Sequence, residues 1–432
     1  MIGLYAGLLL YNLLSTAVLL AVWPYLAWHC LRGLAKWRQR CGAVPRPAGP
    51  AFWVHAASVG EVAMIATLLP ELRRRWPDHK ICLSTMTGTG QGRARQTLSP
   101  GDETFFLPLD FLWTQFRALG RIRPKLVVLS ETELWPNLIA LCRLRGIPVA
   151  LVNARLSDRS LPYYRLARFL FGPLLDGFAL IACQSHADAE RYRRLTTRPD
   201  NVQVMGNLKY DGIARPASAG ERSRLRSQLG IAAGDVVLVA GSSREGEEEI
   251  LLEAWRGAVQ NSKFEIRNSK LILAPRHPER FSNVEGILRV YSHPFSKRSH
   301  DGRFEPGKRV LLWDTLGELA TAYAAGDMAF VGGSLVPVGG HNPLEPAALG
   351  LPVVFGPHMF NAADSAECLL SGGGAVQVGS ADGLQAVLAE WLGRPQARAA
   401  IGEKARAAVD ARRGVAGRTV EELERALGRR HS

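Results

Sequence analysis

The stretch Phe330–Phe360, FVGGSLVPVGGHNPLEPAALGLPVVFGPHMF, constrains the chain more than any other. An apolar run, Met328–Val331, ends at Gly332-Gly333, as a buried strand entering a tight turn does. A second pair, Gly339-Gly340, precedes His341-Asn342-Pro343-Leu344-Glu345-Pro346. Asn342 suits an N-cap and Pro343 a first helical position, so a short helix is predicted over HNPLEPAALG. Gly350-Leu351-Pro352 ends it, and Val353–Phe355 reads as the next parallel strand. Glycine-rich turns feeding a helix N-terminus offer N–H groups and a positive dipole end, which together hold a phosphate. Glu345, one turn in, is placed to bond the hydroxyls of a ribose. The same pattern also fits a glycine-punctuated crossover in any α/β domain, so the rest of the chain must decide.

The rest of the chain repeats the unit. In the first half, strands are predicted at 52–56, 81–85, 104–107, 126–130, 149–153 and 202–205. Helices are predicted at 62–75, behind the Met86–Gly90 turn, at 135–145 and near 187–195. The second half continues with strands at 236–240, 271–274 and 310–313 and helices at 247–259 and 319–325. Alternating strands and helices give an α/β fold with an open parallel sheet covered on both faces. A chain of 432 residues is enough for two such domains. Gly206–Asp211 reads as the connection, dividing 51–208 from 209–432. Residues 261–270 and 292–307 are polar and basic and read as surface insertions; the Arg-rich helices from Ala381 onward present a solvated face.

Residues 1–31 carry no Lys, Arg, Asp or Glu and are long enough to cross a bilayer as a helix. Trp23, Tyr25 and Trp28 resemble an interfacial aromatic belt, and Arg32, Lys36, Arg38 and Arg40 follow at once. This asymmetry predicts an N-terminal anchor (1–31) with its N-terminus outside, a basic, Pro/Gly-containing linker (32–50), and the remaining chain on the cytoplasmic face. A part-way, monotopic insertion is the alternative; a cleaved signal peptide lacks its basic start and its cleavage site here. The net charge of +14 calls for acidic headgroups or phosphorylated substrates. Nucleic acid ranks last, because no nucleic-acid module is present. The six cysteines are dispersed and form no C-x-x-C, which argues against a zinc site or a disulfide scaffold.

In open α/β sheets, ligands bind beyond the carboxyl ends of the strands. The unusual clusters fall there: SVGE (58–61), TGTG (87–90), ETELWPN (131–137), NAR (153–155), GSSREGEE (241–248), PRH (275–277), TLGE (315–318) and HNPLE (341–345). Together with HAASVGE, TGTGQ, NARLSDRS, GNLKYD, APRHPERF and WDTLGELA, they make the sequence resemble the 3-deoxy-D-manno-octulosonic acid (Kdo) transferase family from about residue 50 to residue 360.

The resemblance implies a membrane-associated glycosyltransferase of the GT-B architecture, two Rossmann-like domains facing a cleft. It implies inverting transfer of Kdo from CMP-Kdo to the phosphorylated disaccharide precursor of lipid A (lipid IVA) at the bacterial inner membrane. Glu61 matches the family's catalytic base; its local alternative is an acidic residue favouring a helix start. Glu131 and Lys209 match positions that stabilise the transition state, against local readings as a helix start and a surface charge. For CMP the resemblance implies Pro275 and Arg276, then Leu316, Gly317 and Glu318, then Asn342, Pro343, Leu344 and Glu345. Arg276 is the natural phosphate partner, while His277 and His341 take no catalytic role. No D-x-D occurs, so no metal cofactor is expected. The rivals are a GT-B enzyme using a UDP-sugar and a non-catalytic, membrane-tethered lipid A-binding protein.

Overall fold

The computed structural model describes residues 2–32, 35–260, 268–291 and 293–429, so most of the 261–270 insertion lies outside the described residues. The chain divides into two compact units, residues 1–212 with 414–432, and residues 213–413.

The first unit begins with helices α1 (Ile2–Leu31) and α2 (Ala35–Arg40). Its sheet holds β1 (Ala51–His55), β2 (Lys80–Thr85), β3 (Glu103–Phe106), β4 (Leu126–Ser130), β5 (Val149–Ala154), β6 (Leu180–Cys183) and β7 (Val202–Val204). The crossovers are α3 (Val59–Arg75), α4 (Gly88–Thr97), α5 (Leu112–Ile122), α6 (Pro136–Leu144), the pair α7 (Leu161–Leu166) and α8 (Arg168–Leu175), and α9 (His186–Arg193). The strand order is β3-β2-β1-β4-β5-β6-β7, all parallel, with the direction of winding reversing between β1 and β4. Strands buried on both faces read as continuous apolar runs, and alternate residues feed opposite cores. Trp53 joins Cys82, Phe105 and Val127 on one side, whereas Phe52 and Val54 join Ile65, Leu68 and Leu72 on the other. Each such side chain contributes roughly 1.5–3 kcal/mol relative to exposure.

The second unit repeats the plan. Its elements are α10 (Ala219–Gln228), β8 (Val236–Ser243), α11 (Glu247–Gln260), β9 (Ser269–Pro275), α12 (Phe281–Val290), β10 (Phe295–Lys297) and β11 (Val310–Leu312). There follow α13 (Leu319–Ala325), β12 (Met328–Val331), α14 (Leu344–Ala348), β13 (Val353–Phe355), α15 (Ala363–Ser371), β14 (Ala375–Gln377), α16 (Ala381–Gly393) and α17 (Pro395–Asp410). The order β10-β11-β9-β8-β12-β13-β14 again reverses once, between β8 and β12.

Several expectations shift. The segment 292–307, read as a surface insertion, supplies the edge strand β10, and its Phe304 is buried against Leu229 and Trp313. The last helix, α18 (Val415–Gly428), belongs with the first unit: Val415, Val420 and Leu423 share a core with Ile65 and Leu72 of α3. Asp211 holds its start, accepting from Gly414 N at 2.6 Å and Ala416 N at 2.7 Å. Lys209 likewise lies in the first unit, on a 3-10 turn (Leu208–Tyr210) packed on α3. Arg40, read as part of the basic flank, is buried and caps the carbonyls of Leu107 and Met86, both at 2.8 Å.

The helix α1 is long and apolar enough to cross a membrane over Gly3–Tyr25. Its first half nonetheless docks on the first unit. An added Cβ on Gly7 would meet Leu170 of α8 at 2.8 Å, so the two helices touch through the glycine. The Asn12 and Asn137 amides exchange two hydrogen bonds of 2.9 and 3.0 Å, and Tyr11 Oη donates to Asp110 at 3.0 Å. Leu9, Leu10, Leu13, Leu14, Val18 and Leu20 face outward, exposed.

Candidate active site

In the first unit the polar clusters gather where the winding reverses, the crevice in which open α/β sheets bind ligands. Ser58 caps α3, its hydroxyl accepting from Glu61 N, and the turn brings the Glu61 carboxylate back over the strand ends. Ser130, the last residue of β4, donates to Glu61 Oε2 at 2.6 Å, Ala57 N donates to the same oxygen at 3.1 Å, and Ser58 Oγ donates to Oε1 at 3.1 Å. Three donors fix a half-buried carboxylate while leaving Oε1 capacity for a further hydrogen.

Glu131 follows Ser130 with φ of 50°, and Asn153, at the end of β5, has φ of 52°. Left-handed conformations at non-glycine residues cost about 1–3 kcal/mol and collect at functional sites. The Glu131 carboxyl is pushed above its ordinary range by burial, then by neighbouring Glu61, against the opposing pull of Arg155. Asn153 Oδ1 accepts from Leu208 N at 2.9 Å, so the turn carrying Lys209 is tied to the end of β5. Lys209 lies with its Nζ 5.4 Å from the Tyr210 ring centroid. Glu133 completes the acidic group, with Oε2 accepting from Trp135 Nε1 at 3.0 Å and lying 3.3 Å from Nε2 of the buried His55. Glu61 and Glu131 are thus neighbours, and Lys209 shares their unit.

In the second unit the corresponding crevice, between β8 and β12, is already filled. Glu247, fully buried at the start of α11, accepts from Gly333 N at 2.6 Å and Arg244 N at 2.9 Å on Oε2. Its Oε1 accepts from Ser334 N and Leu335 N, both at 2.8 Å. At the second glycine pair, Gly340 N donates to Gly333 O at 2.7 Å and His341 N to Gly332 O at 3.2 Å. These N–H groups, expected to cradle a phosphate, are bonded to the protein itself. Glu247 went unread because consecutive acidic residues at a helix start look like a solvated first turn.

The groups expected to face the ligand lie just beyond that plug. Pro275 ends β9, and exposed Arg276 follows, its N–H donating to Ser243 O at 3.1 Å. Leu316 is exposed, Gly317 has φ of 82°, and Glu318 Oε2 accepts from Thr315 at 2.8 Å and Arg298 at 3.3 Å. The Thr315 bond, aided by Arg298, holds the Glu318 carboxyl below its ordinary range. The short helix α14 starts at Leu344, after Pro343, and Asn342 Oδ1 accepts from Leu344 N at 3.1 Å. Burial pushes Glu345 up, opposed by a hydrogen bond from Asn342 at 3.2 Å and by the Arg276 charge. Pro275-Arg276 and Asn342–Glu345 therefore share one neighbourhood, while Leu316–Glu318 lies after β11, on the far side of β9 from β8. Among the described residues, no three His, Cys, Asp or Glu side chains are grouped so as to hold a metal ion.

Two doubly wound parallel sheets, each with its polar residues at the carboxyl ends and across the reversal, make the GT-B architecture. The fold is shared with a UDP-GlcNAc 2-epimerase from Neisseria meningitidis (TM-score 0.59, 13% identity, 87% of this chain and 100% of that one). A glycosyltransferase from Rickettsia africae is similar (TM-score 0.56, 10% identity, 88% and 99%). At these identities the likeness concerns the fold alone. The sequence goes further. The family profile "3-Deoxy-D-manno-octulosonic-acid transferase (kdotransferase)" matches residues 35–212. A 3-deoxy-D-manno-octulosonic acid transferase of Haemophilus influenzae is 35% identical over 89% of this chain and 88% of its own length. That of Bordetella pertussis is 36% identical over 90% of each. The chain belongs to the Kdo transferase family.

Proposed function

We propose that this enzyme transfers Kdo from CMP-Kdo to the phosphorylated disaccharide precursor of lipid A, with inversion, on the cytoplasmic face of the bacterial inner membrane. The observation that carries the reading is the carboxylate of Glu61, fixed by Ser130, Ala57 and Ser58 at the reversal of a chain belonging to this family. An acceptor hydroxyl attacks the anomeric carbon of Kdo. The new C–O bond forms as the bond to the phosphate oxygen breaks, CMP leaves with the electron pair, and Glu61 takes the hydroxyl proton. Glu131 and Lys209 stabilise the charge that develops. On the donor side, Arg276 faces the phosphate as a permanent cation, and Pro275, Leu316–Glu318 and Asn342–Glu345 hold the rest of CMP, with Glu345 on the ribose.

The leaving phosphate is met by protein groups without a metal. Since the glycine turns are bonded internally, that task falls on arginine side chains and not on a backbone cradle. Membrane attachment through α1 with its docked half in place suits a one-leaflet association, because crossing the bilayer would break the Asn12–Asn137 and Tyr11–Asp110 contacts. The test is incubation with CMP-Kdo and lipid A precursor in excess chelator, with products weighed by mass spectrometry and a UDP-sugar in a parallel arm. Addition of Kdo units in chelator supports the reading. Transfer only from the UDP-sugar overturns the donor assignment, and transfer that returns only with Mg²⁺ or Mn²⁺ overturns the metal-free one.

A further inference from the structure

Arg244 leaves β8 inside the GSSREGEE cluster, and nothing above gives its side chain a task. Its position is nevertheless built. The backbone N–H is held by buried Glu247, Nε donates to His341 Nε2 at 3.3 Å, and Nη1 lies 2.5 Å from His277 Nε2. Both partners are imidazoles. Among the described residues no carboxylate forms a salt bridge with Arg244, and its Nη2 makes no hydrogen bond. Holding a guanidinium this way keeps its full charge while fixing its plane. A carboxylate partner would have cancelled that charge.

His341 is the key to the arrangement. Burial pushes its imidazole down to about 4, and the charges of Arg244, Arg276 and His277 add to the effect. It is therefore a neutral acceptor near pH 7, and it feels two guanidiniums, Arg244 after β8 and Arg276 after β9. Beside one neutral histidine stand Arg244, with no carboxylate partner, and exposed Arg276, which feels the Glu345 carboxyl; the two cations together can meet two anions. Inorganic phosphate or a simple nucleotide phosphate offers one anionic centre. A nucleotide-activated 2-keto sugar acid offers two on the same carbon, the phosphate and the carboxylate.

We propose that Arg244, held by His277 and His341, binds the carboxylate of the donor's sugar acid, while Arg276 serves the phosphate. The proposal rests on the reading of the donor as CMP-Kdo. It makes Arg244 the residue that separates a sugar-acid donor from CMP alone. A charge-assisted contact of this kind is worth about 1.5–3 kcal/mol, or about 10- to 150-fold in affinity.

The experiment measures binding of CMP and of freshly made CMP-Kdo to the full-length protein and its Arg244→Gln and Arg244→Lys variants, with steady-state transfer alongside. Arg244→Gln should weaken CMP-Kdo by at least tenfold and raise its KM, with CMP affinity kept within about twofold; Arg244→Lys should recover part of the loss, since it keeps the charge without the fork. Retained CMP binding also reports that the second unit is folded. Equal loss of CMP and CMP-Kdo in both variants, or no loss for either ligand, overturns the proposal. Wild-type protein that binds CMP-Kdo no better than CMP overturns it as well. Wild-type protein that transfers no Kdo sinks instead the donor reading, a distinct result.

Discussion

At the scale of single residues, the strongest expectation concerns Glu61. Glu61→Gln keeps the size and cannot take a proton, so transfer should fall by roughly 10²–10⁴-fold. CMP binding should be unchanged, because the residues proposed to hold CMP lie in the other unit. Ser130 acts through Glu61, so it is a positioning residue. Removing its 2.6 Å donor in Ser130→Ala should lower kcat about tenfold while leaving KM within about twofold, because the carboxylate is less well held and the substrates are still bound. An unchanged kcat would leave Ser130 a merely structural role. His341 gives a pH signature. Its folded value near 4 lies below the ordinary 6.5, so the unfolded chain binds more protons between them. Its contribution to stability is therefore present above about pH 6.5 and is lost as the pH falls towards 4. A nuclear magnetic resonance titration of the His341 ring should show its midpoint near 4, and a midpoint at 6 or above contradicts the burial described.

At the scale of elements, most strands and long helices were legible, because buried parallel strands and amphipathic crossovers leave strong local patterns. Leu126–Ser130, Leu319–Ala325, Met328–Val331 and Val353–Phe355 have the predicted bounds. The strand Leu180–Cys183 was missed, as four apolar residues between a helix pair and a polar turn carry little periodicity. Phe295–Lys297 was missed because its pairing partner, Val310–Leu312, lies beyond a basic loop. The clusters at strand ends located the site. They could not tell which acidic residues face the ligand: Glu61 and Glu247 both follow a first strand and both sit at a reversal, yet one is open and the other plugs a turn. Four hydrogen bonds to one buried carboxylate make Glu247 the fastening between β8 and β12. Glu247→Ala should destabilise the second unit by about 3–5 kcal/mol, by leaving the loop's N–H groups unpaired. Thermal unfolding checks this, and a loss under 1 kcal/mol would mean the loop finds other acceptors.

For the whole molecule, the membrane attachment proposed above would draw on both the net charge and the apolar outer face of α1. Deleting residues 2–31 should leave protein that still floats with anionic vesicles at low salt and releases at high salt, where the remaining attraction is screened. Full retention at 0.5 M salt would place the apolar attachment elsewhere. Asn137→Ala, which removes the amide pair to Asn12, should loosen α1 without freeing the protein from vesicles.

The route of the backbone carries one more consequence. Residues 213–413 interrupt the first unit, and the two ends of the interruption are stitched locally: Arg413 Nη1 donates to Ile213 O at 2.9 Å, and Gly414 N donates to Asp211 at 2.6 Å. The second unit is therefore a guest sequence inside its host, entering and leaving at neighbouring points. A ribosome makes the guest before the host's last helix, so the first unit completes its core only after the second has been synthesised. A chain cut short after residue 413 would carry a whole second unit and a first unit whose core still lacks one wall.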